Sequence, residues 1–142
     1  MDYFCISINY MADNFDKNNV YNYWIESSDD NYKTTLDLYN TGNYGWSLFM
    51  GHLVIEKLLK AYYVKTQNTY PPMLHDLRRI GESAGIEFDA DKIIIIETIS
   101  QFNIRARYDD YKRNFYKLCT REFAEEWIEK IKAIRLWIKK ML

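Results

Sequence analysis

Residues 44–65, YGWSLFMGHLVIEKLLKAYYVK, decide the fold. Leu48, Phe49, Leu53, Ile55, Leu58, Leu59, Tyr62 and Tyr63 cover far more than one stripe of a helix drawn through them. A helix that is apolar on most sides sits in the middle of a bundle. Glu56 and Lys60 stand four apart on what reads as its polar edge, an exposed pair worth about 0.2–0.5 kcal/mol.

The neighbours of this segment also read as helices. From Val20 the positions Tyr21, Ile25, Ser28, Tyr32, Leu36 and Tyr39 step by three or four, one face of a helix. Asn40-Thr41-Gly42-Asn43 ends it, with Gly42 suited to a left-handed position past the C-cap. After the central segment, Pro71-Pro72 breaks the chain. A short helix fits Met73 to about Ala84, with Leu74, Leu77 and Ile80 inward and Gly85 closing it. Asp89 or Asp91 can cap a fourth helix. Its β-branched run Ile93–Ile96 would also suit a strand, but Ile95, Ile99 and Phe102 continue with helical period. Residues 105–118 read as a polar, basic and aromatic linker. After Thr120, Phe123, Trp127, Ile131, Ile134, Ile138 and Met141 mark a last helix. Its early glutamates and late basic residues suit the helix dipole.

The expectation is an all-α, up-and-down antiparallel bundle of about five helices. Residues 1–19 form an N-terminal extension, with Met11 as an alternative start, and residues 20–142 form a single domain. Composition agrees. With 48% apolar residues the 142-residue chain can bury a core. Its 5 Gly and 2 Pro are too few for the turns of a sandwich or barrel.

Composition also excludes function classes. A net charge of −1 provides no global field toward nucleic acid or membrane. No run of about 18 apolar residues suggests a membrane span, and the first residues lack the basic start of a secretory signal. Cys5 and Cys119 are too few for a disulfide scaffold, so a reducing, cytoplasmic setting is expected. Two histidines cannot build a multi-histidine metal site. Neither glycine-rich phosphate loop occurs. No cofactor and no metal are expected.

Local chemistry is concentrated after residue 104. Arg105, Arg107, Lys112, Arg113 and Lys117 are interleaved with Tyr108, Tyr111, Phe115 and Tyr116. Arginines among aromatics can hold a phosphate and stack a base. The same composition also suits a surface loop whose aromatics pack back on the bundle. His75 lies beside Asp76, and a histidine with an orienting carboxylate can act as a base. Adjacent helical residues point about 100° apart, however, so Asp76 does not face it. A histidine that hydrogen-bonds the interhelix turn accounts for His75 equally simply. His52, one turn before Glu56, reads as a packed side chain.

Three pieces in this order resemble the HEPN family, the small helical domains of higher eukaryotes and prokaryotes. Residues 51–61, GHLVIEKLLKA, are similar to the family's A-x-E-K-x-L-K-A core helix. Pro72-x-x-His75-Asp76-Leu77 is similar to its H-D-L turn. Ile104-Arg105-Ala106-Arg107-Tyr108-Asp109 is similar to its A-R-Y-P segment, with Asp109 in place of the proline. The resemblance covers roughly residues 20–140. It implies a helical bundle that dimerises and a link to nucleotides or RNA. It further implies pairing with a minimal nucleotidyltransferase in toxin–antitoxin or defence systems. The family's nucleases are metal-independent and carry an arginine and a histidine with four to six residues between them. Here no histidine follows Arg105 or Arg107, and Asp110 stands where one could.

The resemblance and the residues together suggest a non-catalytic HEPN-like module. Arg105, Arg107, Tyr108, Lys57 and His75 are its ligand-binding candidates. Its expected partners are a second copy of the chain, a nucleotidyltransferase, and a nucleotide or RNA. The alternative is an RNase with a degenerate motif, using Arg105, Arg107, Asp110 and Tyr111.

Overall fold

The computed structural model describes residues 14–142, with the side chains of Asp109 and Asp110 outside the description. Most of residues 1–19, and Met11 with them, therefore lie outside the described residues. Those described contain six helices and no strand. They are α1 (Lys17–Asn40), α2 (Tyr44–Gln67), α3 (Leu77–Ser83), α4 (Ala90–Arg107), α5 (Asp109–Leu118) and α6 (Arg121–Lys139). The chain belongs to the all-α class, with one helix more than the five counted from the sequence.

Short polar residues start four of the helices. Asp16, Asp76, Asp89 and Thr120 each accept a hydrogen bond from the backbone amide three residues on. Each satisfies one amide that the first turn leaves unpaired. Asp76 therefore sets the start of the short helix at Leu77, four residues later than the Met73 expected from its apolar spacing. The Ile93–Ile96 run lies within α4, so helical period prevails there over β propensity.

Helix α2 is the hub and touches α1, α3, α4, α5 and α6. Leu48, Val54, Ile55, Leu58 and Leu59 are fully buried along it. The tight turn at Thr41–Asn43 folds α1 back onto α2. Two hydroxyls hold this pair, from Ser28 to the Val54 carbonyl at 2.8 Å and from Ser47 to the Thr35 carbonyl at 2.7 Å. Beside α1, α6 approaches closely at Gly51, where a Cβ would lie 2.5 Å from Ile131 Cδ1. A glycine is required there because a well-packed core has no room for the extra carbon. Lys139 and Arg135 of α6 reach Asp29 of α1 at 2.7 and 3.2 Å. No helix among the described residues is long and apolar enough to cross a membrane.

The segment expected to be a linker is largely helix. Residues 105–107 complete α4, and 109–118 form α5. Phe115 anchors α5 from a fully buried position, its ring 5.6 Å from that of Phe102. Tyr111, Tyr116 and Leu118 remain exposed on the outside of α5.

Candidate functional site

The hub helix carries a charged cluster inside the bundle. His52, Glu56 and Lys60 follow one another at intervals of four, so they form one stripe. All three are buried, with 0%, 3% and 3% of their surfaces exposed. The polar edge expected for Glu56 and Lys60 is thus an interior face. Lys60 Nζ lies 3.1 Å from Glu56 Oε2, and His75 Nδ1 donates to Glu56 Oε1 at 3.0 Å. His52 Nε2 donates to the His75 carbonyl at 3.1 Å. The carboxylate behind His75 is therefore Glu56, nineteen residues away, and not the adjacent Asp76, which caps α3.

These contacts set the protonation states. Burial alone would raise the Glu56 carboxyl. The His75 hydrogen bond and the charge of Lys60 outweigh it and hold the group below its ordinary 4.5. An ionised carboxylate can only accept, so His75 Nδ1 is the donor of this bond, which leaves Nε2 as the other ring nitrogen. Burial pushes His52 below its ordinary 6.5, against the raising pull of Glu56. Its neutral ring spends its N–H on the His75 carbonyl, and Nδ1 has no hydrogen-bond partner in the structure.

Both shifts make the fold sensitive to acid, with the same sign. The unfolded chain takes up a proton at His52 before the folded chain does, and likewise at Glu56. Stability should be complete above about pH 6.5 and fall as the pH drops below that value and then through the carboxylate range. Urea unfolding from about pH 7.5 to about pH 4 should show a continuous loss. Stability that rises on acidification from neutral pH would contradict this account of the cluster.

His75 opens into a cleft of about 330 Å³, lined also by Asp76, Glu97, Ser100, Gln101, Asn103 and Ile104. Its ring is 59% exposed. Ser100, Asn103 and Arg107 fall on one face of α4, spaced three and four apart. The Ser100 hydroxyl receives the Leu77 amide at 3.1 Å and locks the start of α3 to this face. Asn103 is buried, and its Oδ1 receives Arg107 Nη1 at 3.1 Å. Arg107 itself is exposed, with its guanidinium 5.8 Å from the Tyr108 ring.

The other candidates are placed differently. Arg105 is half-buried, with its guanidinium 5.3 Å from the Phe115 ring, and it packs α5 onto α4. Lys57 donates to Ser27 of α1 at 2.6 Å and does not line the cleft. Tyr111 is exposed on α5, and the side chain of Asp110 is outside the described residues. Cys119 is buried, and burial pushes its thiol up to about 11, so it is a poor nucleophile. A second basic surface on α5 is formed by Lys112, Arg113, Tyr116 and Lys117. There Lys112 lies over the Trp46 and Tyr116 rings at 5.6 and 5.9 Å.

Sequence reasoning missed Glu56, Lys60, Ser100 and Asn103. The signal for the first two was present, since His52-x-x-x-Glu56-x-x-x-Lys60 is a polar stripe on an otherwise apolar helix.

Fold and site together define a small helical module with a histidine–carboxylate pair in its hub and an exposed arginine at the end of α4. A HEPN domain model matches residues 21–141, and the chain belongs to the HEPN domain family. The fold is shared with the crystal structure of TT1696 from Thermus thermophilus, at a TM-score of 0.73 and 18% identity. That match covers 86% of this chain and 98% of the other. No curated protein matches the chain.

Proposed function

We propose that this HEPN domain is a binding module that holds RNA or a nucleotide through the Arg107 face. The observation behind this reading is the different settings of the two arginines. Arg105 is committed to Phe115, whereas Arg107 is presented to solvent and steadied by the buried Asn103. A guanidinium so held offers planar paired donors to a phosphate, and exposed Tyr108 beside it can stack a base. Family-type RNA cleavage is disfavoured because the chain has no histidine after His75. As in other HEPN pairs, a minimal nucleotidyltransferase encoded alongside would be the protein partner, in a toxin–antitoxin or defence system.

Titration of labelled single-stranded RNA and of ATP at two salt concentrations tests this reading. Arg107→Ala should weaken binding by about 1.5–3 kcal/mol, the range for a hydrogen bond to a charged group. Arg105→Ala should change affinity far less. Wild-type protein that binds neither ligand at low salt, or unchanged binding by Arg107→Ala, would sink the proposal.

The module is also proposed to form a homodimer. Trp46, Tyr111, Tyr116 and Leu118, on α5 and the start of α2, remain exposed large apolar side chains. Patches of this kind mark partner surfaces. Light scattering at micromolar concentration should give twice the chain mass, and Tyr116→Glu should shift the protein toward monomer. A wild-type monomer would refute this.

A further inference from the structure

We infer that the His75 cleft takes the nucleoside part of a ligand whose single phosphate lies at Arg107. This rests on the phosphate-binding reading of Arg107 and adds a second, separately testable subsite. The ligand chemistry is a nucleoside monophosphate unit, either free or within an RNA strand.

The cleft has the size and polarity for this role. Its volume of about 330 Å³ is at the lower end of small-molecule sites. Glu56 holds the His75 ring through Nδ1, which leaves Nε2 as the ring nitrogen available to a ligand in the cleft. Asn103 uses its oxygen for Arg107, which leaves its amide nitrogen as a donor. Gln101 supplies one donor group and one acceptor at the rim. Ile104, 39% exposed, and the face of the His75 ring provide apolar surface for a flat ring. Histidine is among the side chains on which unpaired bases stack.

Charge sets the direction of the ligand. Asp76 stands at the His75 end and repels phosphate there, and Glu97 beside it keeps Arg78 occupied. Glu97 is tied to Arg78 at 2.8 Å, and Asp76 holds the first turn of α3, so neither is free to turn away. The cation on this stripe, Arg107, lies seven residues along α4 from Ser100, roughly 10 Å away at 1.5 Å per residue. A neutral base or ribose thus fits one end and one anion the other. A triphosphate gains little, because the other arginine bordering the cleft among the described residues, Arg78, is already paired with Glu97 and Glu82.

Calorimetric titration tests the assignment. The ligands are the four nucleoside monophosphates, their nucleosides, ATP and a short single-stranded RNA. They are titrated into wild type, Arg107→Ala, His75→Gln and Gln101→Ala. At least one monophosphate should bind wild type roughly ten- to a hundredfold tighter than its nucleoside, and ATP should bind no tighter than AMP. Arg107→Ala should remove the advantage of the monophosphate over the nucleoside. His75→Gln and Gln101→Ala should weaken monophosphate and nucleoside alike, by roughly tenfold. Gln101 is exposed and clear of the buried cluster, so this variant reports on the cleft even if His75→Gln is poorly folded. If only RNA binds and the two cleft variants weaken it, the strand is the source of the nucleotide. If Arg107→Ala abolishes binding while both cleft variants bind unchanged, the nucleoside subsite is wrong and the phosphate site stands. ATP binding tighter than AMP also overturns the subsite, and no binding by any ligand overturns both.

Discussion

Glu56→Gln is expected to destabilise the fold by about 3–5 kcal/mol, the cost of removing one member of a buried ion pair. The amide can still bond His75, but the carboxylate charge that faces the Lys60 ammonium at 3.1 Å is lost from the interior. Lys60 is 3% exposed, so water cannot compensate. Replacing Glu56 and Lys60 together by apolar residues of similar size should recover much of the loss, because the desolvation penalty then disappears. Urea unfolding measures this directly. The midpoint should fall sharply for the single variant, with the slope unchanged. A loss under about 1 kcal/mol would mean that the pair behaves as an exposed one.

Phe102→Ala should have an effect of similar size, about 3–5 kcal/mol for a fully buried ring. Phe102 is 1% exposed and holds together three elements. Its ring lies 5.6 Å from Phe115 on α5 and 5.5 Å and 6.4 Å from Trp127 and Phe123 on α6. Phe115 is the main buried anchor of α5, so removing Phe102 loosens the helix that follows Arg107 and Tyr108. Phe102→Leu should cost less, because most of the volume is kept. Thermal unfolding of the two variants checks the order. Equal melting temperatures for Phe102→Ala and wild type would show that the aromatic group does not join these helices.

The long helices are legible in the sequence because α1 and α6 keep a core-facing period over about five turns, α2 is apolar on most sides, and α4 keeps the period from Ile95 to Phe102. α5 is not, for a physical reason. Within DDYKRNFYKL, Phe115 is buried while Tyr111, Tyr116 and Leu118 point outward. Tyr111, Phe115 and Leu118 do step by four and three, but over two turns only and among six charged or polar residues, so the stretch reads as a linker, and the helix is anchored by the tertiary contact of Phe115 with Phe102. The start of α3 is misplaced by apolar spacing, which begins at Met73, whereas the capping carboxylate of Asp76 fixes the first turn. At the site, the arginine–aromatic segment is visible as composition, but the difference between Arg105 and Arg107 depends on where Phe115 and Asn103 lie. The Glu56 cluster escapes a sequence reading because a glutamate and a lysine four apart are ordinarily solvated. Here His75, in the turn leading into α3, covers Glu56, and the Trp24 ring of α1 lies 5.2 Å from Lys60 Nζ.

The central claim is that ligand contacts the α4–α5 face around Arg107. Photocrosslinking of the protein to 4-thiouridine RNA, followed by mapping of the modified peptides, tests it most directly. The account predicts adducts within residues 100–111, at Tyr108 above all, and on the peptide carrying His75. Adducts confined to α1 and α6 would contradict it.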